Sequence, residues 1–350
     1  MRYLSVCSGI EAASQGWHHL GWTPAGFSEI EPFPRAVLEE RLGAVPVDWD
    51  HRHSPQSNTL PLFGDFTKIE AHHVGPIDLL VGGTPCQSFS VAGKRLGLDD
   101  PRGHLTLEFL SLARRLRPRW IVWENVPGIL SDDGGRTFGT FLGLLGECGF
   151  QWAYRVLDAQ FVRVDGFERA VPQRRRRVFV VGYSGNEPRP AAVLFERESL
   201  RGNPAPRRET GQRVAPTISA RTKGGGGLGT DFDCDGGQVA VAFDLRGREG
   251  GAMPEGPHHT ANIRASNGGS SKSYVAETWA VRRLTPRECE RLQGFPDDFT
   301  AVTYRGKPAS DGPRYKALGN SMACNVMRWI GERIEYVERA CGGNELEEYA

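Results

Sequence analysis

The sequence predicts an α/β protein: a doubly wound parallel sheet covered on both faces by helices, interrupted by a smaller irregular domain. Three observations carry this. Over the first half, short runs that are apolar throughout alternate with helix-like segments, the pattern of strands buried on both sides. From Ser184 to about Thr278 the composition turns to Gly, Pro, Ser, Thr and Arg, and strand-like pieces become short. Order then returns, ending in a helical apolar stripe at Ala323, Val326, Met327, Ile330, Ile334 and Val337 that is suited to packing on the first domain.

The elements follow in order. "RYLSV" is a strand, "GIEAASQGWHHLG" a helix closed by Gly21, "WTPAGFSEI" a second strand and "PFPRAVLEERLG" a second helix. Residues from Asp48 to Leu62 read as an inserted loop, with His51 and His53 solvated rather than metal-bound. "IDLLVGG" is a continuous apolar strand, "LTLEFLSLARRL" a helix, "RWIVWENV" a strand, "FGTFLGLLGECGF" a helix ending at Gly149, and "RRVFVVGY" a further strand. In the middle region "APTISARTKGGGG" and "HHTANIRASNGGS" echo each other, each with Thr, Arg and then a glycine cluster. They are either flexible surface loops or paired loops offered to an irregular partner. In "RRLTPRECERLQGFPDDF" a helix starts with Thr285 as N-cap and Pro286 at the first helical position. The expected organisation is 1–184, 185–300 and 301–350, the last segment returning to the first domain.

With 350 residues, 24% charged and 39% hydrophobic, the chain is an ordinary soluble composition. A net charge of +1 supplies no global basic field, so a nucleic-acid partner requires basic residues gathered locally. No run approaches membrane-spanning length, and the N-terminus lacks the apolar core of a signal peptide. Seven cysteines without a CxxC pair argue against a zinc site or disulfide framework and for a reducing, cytoplasmic setting.

The chemistry-bearing residues gather at strand ends. "LSVCSGIEAA" is a strand, a turn at Gly9 and a helix, which places backbone N–H groups at the carboxyl edge of the sheet. Glu29 ends the next strand, where a carboxylate can accept ribose hydroxyls. Asp65 in "GDFTKI" can take an exocyclic amine, with Phe66 against an adenine ring. These point to an adenosine-type ligand, and the missing second and third glycines of GxGxxG count against a dinucleotide. Cys86, in "VGGTPCQSFSVAG", follows the strand "IDLLVGG" and lies at the same edge, with Gly82 and Gly83 leaving room for a close ligand. Glu124 ends "WEN". In "VPQRRRRVFVVG", Arg175 and Arg177 share one face of an extended chain, and Arg174 and Arg176 share the other.

A thiol, an acid and arginines beside an adenosine-like cofactor suggest thiolate-assisted methyl transfer to an electron-poor ring. Carbon 5 of cytosine is too weak a nucleophile unaided. Thiolate addition at carbon 6 makes it nucleophilic, an acid at ring nitrogen 3 stabilises the adduct, and an arginine on the carbonyl oxygen holds the ring. Cationic neighbours favour the thiolate.

At these residues the chain resembles the cytosine-5 DNA methyltransferases of the bacterial and phage type. "CSGIEAA", "EIE" at Glu29 to Glu31, "GDF", "GGTPCQSFS", "ENV", "QRRRRVFVVG", "RRLTPRECERLQGFPDDF" and "YKALGNSMACNV" occur in the family's order, from residue 4 to about 330. The resemblance implies a Rossmann-like SAM-dependent methyltransferase fold with a target-recognition domain. It implies Cys86 as nucleophile, Glu124 at ring nitrogen 3, and Arg177 at the cytosine carbonyl with Arg175 beside it. S-adenosylmethionine, leaving as S-adenosylhomocysteine, would meet Ser8, Gly9, Ile10, Glu29, Ile30, Asp65, Phe66, Pro85, Leu105, Asn320 and Ser321. Double-stranded DNA, with its cytosine flipped out, would meet Gln87, Ser90, Gln173 and, in the recognition domain, Thr217 and Ile218; Thr260 and Ala261 are a second candidate pair. The implied enzyme is monomeric and cytoplasmic, of a bacterial or phage-infected cell, of the restriction-modification kind, without metal or membrane partner. The chain departs from the family at Cys7, where an aromatic is usual, and at Glu11 and Ala12, where glycines are.

Three other readings compete. A tRNA-methylating branch shares the pocket motifs. The long Gly-rich middle and "LTPRECERLQGFPD" favour DNA. An inactive DNA-binding relative should lack the nucleophile or the acid, and both are present. A cysteine hydrolase needs a histidine near Cys86, and no histidine occupies a predicted strand end.

Overall fold

A computed structural model describes residues 1–47, 59–84, 104–164, 171–196, 241–246, 255–258, 271–277 and 280–342. The elements run β1 (Arg2–Val6), α1 (Ala12–Trp17), β2 (Thr23–Ser28), α2 (Pro32–Leu42), β3 (Ala44–Pro46), β4 (Leu60–Phe63), α3 (Ala71–Val74), β5 (Leu79–Gly82), α4 (His104–Leu116), β6 (Trp120–Asn125), α5 (Arg136–Glu147), β7 (Gln151–Asp158), β8 (Arg176–Tyr183) and α6 (Arg189–Leu194). They continue with β9 (Val241–Arg246), β10 (Glu255–His258), β11 (Ser271–Glu277), β12 (Ala280–Arg283), α7 (Pro286–Gln293), β13 (Thr303–Tyr304), β14 (Lys307–Pro308), α8 (Asp311–Asn320) and α9 (Cys324–Gly342).

Eight strands form one sheet in the order β3-β4-β2-β1-β5-β6-β8-β7. The alternation of side chains along β1 sorts the core into two layers. Tyr3 joins Trp17, Phe27, Val37 and the stripe on α9 on one face. Leu4 and Val6 join Phe109 of α4 and Phe141 and Leu145 of α5 on the other. Both faces are therefore covered, as expected of a doubly wound sheet.

The expected parallel sheet needs one correction. β8 runs antiparallel to β6, and β7 antiparallel to β8. A strand apolar throughout reports burial on both faces, and burial does not encode direction. The loop expected from Asp48 to Leu62 is also too long: Leu60–Leu62 belong to β4, parallel to β2 and β3. Residues 48–58, including His51 and His53, lie outside the described residues. Strand β7 was not expected. Its burial is broken by exposed Trp152 and Tyr154, as befits the sheet's edge.

Chain order reverses between β1 and β5, which are neighbours in the sheet. A doubly wound sheet opens its ligand crevice at such a switch point, beyond the carboxyl ends of the strands.

From Leu284 onward the chain packs back on this sheet's core. Thr285 and Glu288 form a reciprocal capping box at the start of α7, with Pro286 in its first turn. Helix α9 packs against α1: Trp17 Nε1 donates to the Met327 carbonyl (2.6 Å) and Trp22 Nε1 to Glu335 (3.0 Å). The approach is so close that a Cβ on Gly16 would meet Arg328 N at 2.8 Å. Strands β10-β9-β11-β12 form a separate antiparallel sheet.

Candidate active site

The turn after β1 is built from left-handed residues, Cys7 (φ 50°), Gly9 (φ 55°) and Glu11 (φ 66°). Gly9 has open space where a Cβ would stand, so its backbone can meet a ligand closely. The turn is tied to the end of β2: Ser8 N donates to the Ser28 carbonyl (3.0 Å) and Gly9 N to Glu29 Oε2 (2.8 Å). Glu29 Oε1 accepts from the backbone N–H groups of Ile30 and Glu31, both at 2.8 Å. The carboxylate thus joins the Gly9 turn to the entry of α2, a role the sequence reading did not contain. Burial pushes its pKa up, against the backbone donors that favour the charge. Asp65 Oδ1 accepts from Thr67 N (3.0 Å) and Thr67 Oγ1 (2.8 Å), and Phe66 is buried beside it.

Beyond these strand ends opens a cavity of about 980 Å³. Its wall carries Gly9, Glu29, Ile30, Asp65, Phe66, Leu105 and Asn320, and further along Gly83, Glu124 and Arg177. Two carboxylates, an aromatic ring and glycine backbone along one wall fit an adenosine-bearing ligand, with reactive groups at the other end. Ser8, Ile10 and Ser321 are not in the wall of this large cavity. Ile10 is fully buried in the core, and Ser8 spends its hydroxyl on the Ser5 and Ser28 carbonyls. Ser321 donates its hydroxyl to the Met322 carbonyl. Ser8 and Ser321 line a smaller chamber behind the cavity. Pro85, Cys86, Gln87, Ser90, Thr217, Ile218, Thr260 and Ala261 lie outside the described residues.

Glu124, at the end of β6, pairs with Arg177 Nε of β8 through Oε1 at 2.9 Å. Burial pushes its pKa up, with Arg177 and then Arg175 opposing, so this acid holds a proton more readily than an exposed one. Its Oε2 lies where Gly83 offers space: a Cβ there would stand 2.8 Å away. The glycine expected to admit a ligand instead admits this carboxylate.

Burial alternates along the arginine run. Gln173 and Arg175 are buried, and Arg174 and Arg176 are exposed. Arg175 does share a face with Arg177, but it turns inward. Its Nη2 donates to the carbonyls of Gly319 (2.9 Å) and Ser321, fastening the turn between α8 and α9. Burial lowers its pKa to about 9; it stays charged at neutral pH. Gln173, expected to face DNA, is fully buried.

A further network went unseen because nothing in "GGT" or "HLTLEF" signals it. Thr84, immediately before Pro85, shares a hydrogen bond with Thr106 (2.9 Å). It accepts from Trp123 Nε1 (3.0 Å), and its carbonyl accepts from Asn125 Nδ2 (3.2 Å). The chain leaving β5 toward Cys86 is therefore anchored to α4 and β6. Cys7 also lines the cavity, but burial, then Glu29 and Asp65, push its thiol up to about 12, so it stays protonated at neutral pH. Among the described residues no group of three or more His, Cys, Asp or Glu could hold a metal, and no helix is long and apolar enough to cross a membrane.

The sequence pattern of the C-5 cytosine-specific DNA methylases matches residues 1–223 and 221–336. The chain is 36% identical to a phage P1 protein of Escherichia named DNA N-6-adenine-methyltransferase, over 99% of this chain and 63% of that protein's length. It is 30% identical to the type II methyltransferase M.HpaII of Haemophilus parainfluenzae, over 85% of each. The solved structure of the S. pombe Dnmt2 methyltransferase is similar in fold, with a TM-score of 0.62 at 15% identity, covering 96% of this chain and 99% of that one.

Proposed function

The chain belongs to the C-5 cytosine-specific DNA methylase family, and from that premise we propose that it transfers a methyl group from S-adenosylmethionine to carbon 5 of a flipped-out cytosine in a specific duplex DNA sequence. The observation that carries this reading is the Glu124–Arg177 pair, set in the wall of the cavity that also holds Glu29, Asp65 and Phe66. A proton-holding acid clamped beside a nucleoside-type site suits the protonation of a pyrimidine.

S-adenosylmethionine supplies an electrophilic methyl group. The chain's own residues prepare the acceptor. Glu124 holds a proton at ring nitrogen 3, and Arg177 orients Glu124 and reaches the ring carbonyl. Cys86, on the loop whose root Thr84 anchors, adds as thiolate to carbon 6 and makes carbon 5 nucleophilic. Carbon 5 then takes the methyl group as its bond to the donor sulfur breaks, S-adenosylhomocysteine leaving; a base, water or hydroxide, removes the carbon-5 proton, and the carbon 6–sulfur bond breaks to release the Cys86 thiolate. Flipping the base costs a few kcal/mol and brings it to these groups. Arg175 serves this site by holding Gly319 and Ser321 rather than by touching the base. The segment 185–300, which contains the β10-β9-β11-β12 sheet, acts as the recognition domain, with Thr217 and Ile218 as its base-reading pair.

The name of the phage P1 relative favours a second product, N6-methyladenine. An exocyclic amine is already a nucleophile and needs no thiol, so Cys86 separates the two. The test is methyl transfer from labelled S-adenosylmethionine to duplex DNA and to tRNA, with nucleoside mass spectrometry of the products. We expect 5-methylcytosine in DNA, abolished in Cys86→Ser. N6-methyladenine, preference for tRNA, or a Cys86→Ser rate near wild type each overturns the proposal. Bisulfite sequencing of the product then reads the site. Thr217→Ala should alter sequence preference more than cofactor affinity.

A further inference from the structure

The chemistry above has no use for Glu11, although it is the least exposed of the carboxylates near the cavity, at 1%. It stands in a left-handed backbone (φ 66°, ψ 63°), which a residue other than glycine adopts at a cost. Its Oε2 accepts from Ser5 Oγ (2.7 Å), and its Oε1 from Ser14 N (3.1 Å) and Ser14 Oγ (3.2 Å). These donors are all neutral. Among the described residues, the titratable groups around it are Tyr3 from β1, Cys324 from α9, and Cys7 and Glu124 across a small chamber. None of them is a cation. Burial pushes Glu11 up to about 7, which reflects the cost of a charge without a counter-charge.

The chamber holds about 40 Å³ and is lined by Glu11, Gly9, Gly83, Glu124, Asn320 and Ser321. Gly9, Gly83, Glu124 and Asn320 also line the large cavity, so the chamber lies at its back. A water needs roughly 10–15 Å³ of such space. The chamber admits one ammonium-sized group and no ring. The adenosine of the methyl donor is matched by Glu29, Asp65 and Phe66, which leaves the amino-acid end for the rear. That end carries the cofactor's ammonium.

We propose that Glu11 is a cofactor-binding residue whose carboxylate receives the α-ammonium of S-adenosylmethionine in this rear chamber. The inference rests on reading the large cavity as the cofactor site. It gives one cause to two departures within one turn. Cys7 stands where an aromatic usually packs on the cofactor, and Glu11 where a glycine is usual. A buried ion pair would restore affinity that the missing ring gives up.

The test is calorimetry on the full chain with S-adenosylhomocysteine and with its analogue bearing hydrogen in place of the α-amino group. Wild type should bind the analogue at least tenfold more weakly. Glu11→Gln should weaken S-adenosylhomocysteine at least tenfold and leave the analogue within about twofold. Because the ammonium favours ionised Glu11, binding releases its proton. Affinity should then fall on the order of tenfold more in wild type than in Glu11→Gln between pH 7 and 5.5. Equal losses for both ligands in the variant would make Glu11 a support of the turn only and overturn the proposal. If the variant does not fold, the wild-type arm decides: equal affinity for the two ligands overturns it. Failure of wild type to bind either ligand removes the cofactor site itself, a result distinct from binding without discrimination.

Discussion

Replacing Gly83 by alanine tests whether the space beside β5 exists for Glu124. The added Cβ would lie 2.8 Å from Glu124 Oε2 and 3.3 Å from Met322 Cε. The methionine tip can swing away. The carboxylate cannot move freely, because Arg177 holds its other oxygen at 2.9 Å. Ordinary contact begins at 3.4 Å, so Glu124 must retreat by about 0.6 Å (3.4 − 2.8). That movement strains a charge-assisted hydrogen bond worth ~1.5–3 kcal/mol. Single-turnover methyl transfer to duplex DNA, at saturating cofactor, should slow roughly 10- to 150-fold. In a Glu124→Ala background the same alanine should cost less than about threefold, since the carboxylate it strikes is gone and the Met322 tip can move aside. A single-turnover rate within twofold of wild type, or full additivity of the two substitutions, would refute the reasoning.

Other expectations follow from the same geometry. Cys7→Ser should keep at least half of the wild-type methyl-transfer rate, because a thiol held near 12 is not the thiolate; abolished transfer with intact cofactor binding would reverse the choice of nucleophile. Arg175→Met should lower the thermal midpoint by several degrees, because the Gly319 and Ser321 carbonyls lose their shared buried donor; an unchanged midpoint would mean that the turn holds itself. Glu11 also shapes the pH dependence of stability. Its folded pKa of about 7 lies above the ordinary 4.5, so its stabilising contribution is full below pH 4.5 and is lost as pH rises through 7. Wild type should lose roughly 3 kcal/mol relative to Glu11→Gln across that window, and parallel denaturation curves over pH 4.5–7 would contradict this.

The sequence was most legible where a local rule acts. The apolar runs of β1, β5 and β6 announce strands buried on both faces, and Thr285, Pro286 and Glu288 announce the start of α7. The acids at strand ends announce one crevice, because a doubly wound sheet brings those ends together. Strand direction was not legible, since β8 is as apolar as the parallel strands and runs against them. The alternation of Gln173, Arg175 and Arg177 was predictable as a face, but not where that face points. Arg175 turns inward because Gly319 and Ser321, 144 and 146 residues away, present their carbonyls to it. Shorter but still non-local separations, 22 residues for the Thr84–Thr106 bond and 41 (124 − 83) for the use of Gly83's space by Glu124, hide those contacts as well. These are pairings between elements, and neither partner signals the other locally.

The seam between α1 and α9 has a consequence for synthesis. Trp17 waits for a carbonyl 310 residues further on. At ~5–20 residues per second, a ribosome takes roughly 15–60 s to supply it. Until then the surface of α1 that α9 covers, Trp17 included, lacks its partner. The Gly9 turn meanwhile lacks the Asn320–Ser321 wall opposite it. The wall of the cavity that Glu124 and Arg177 share is therefore completed only when Asn320 has been made. The delay is set by the 310-residue separation of the two partners rather than by any feature of the candidate active site.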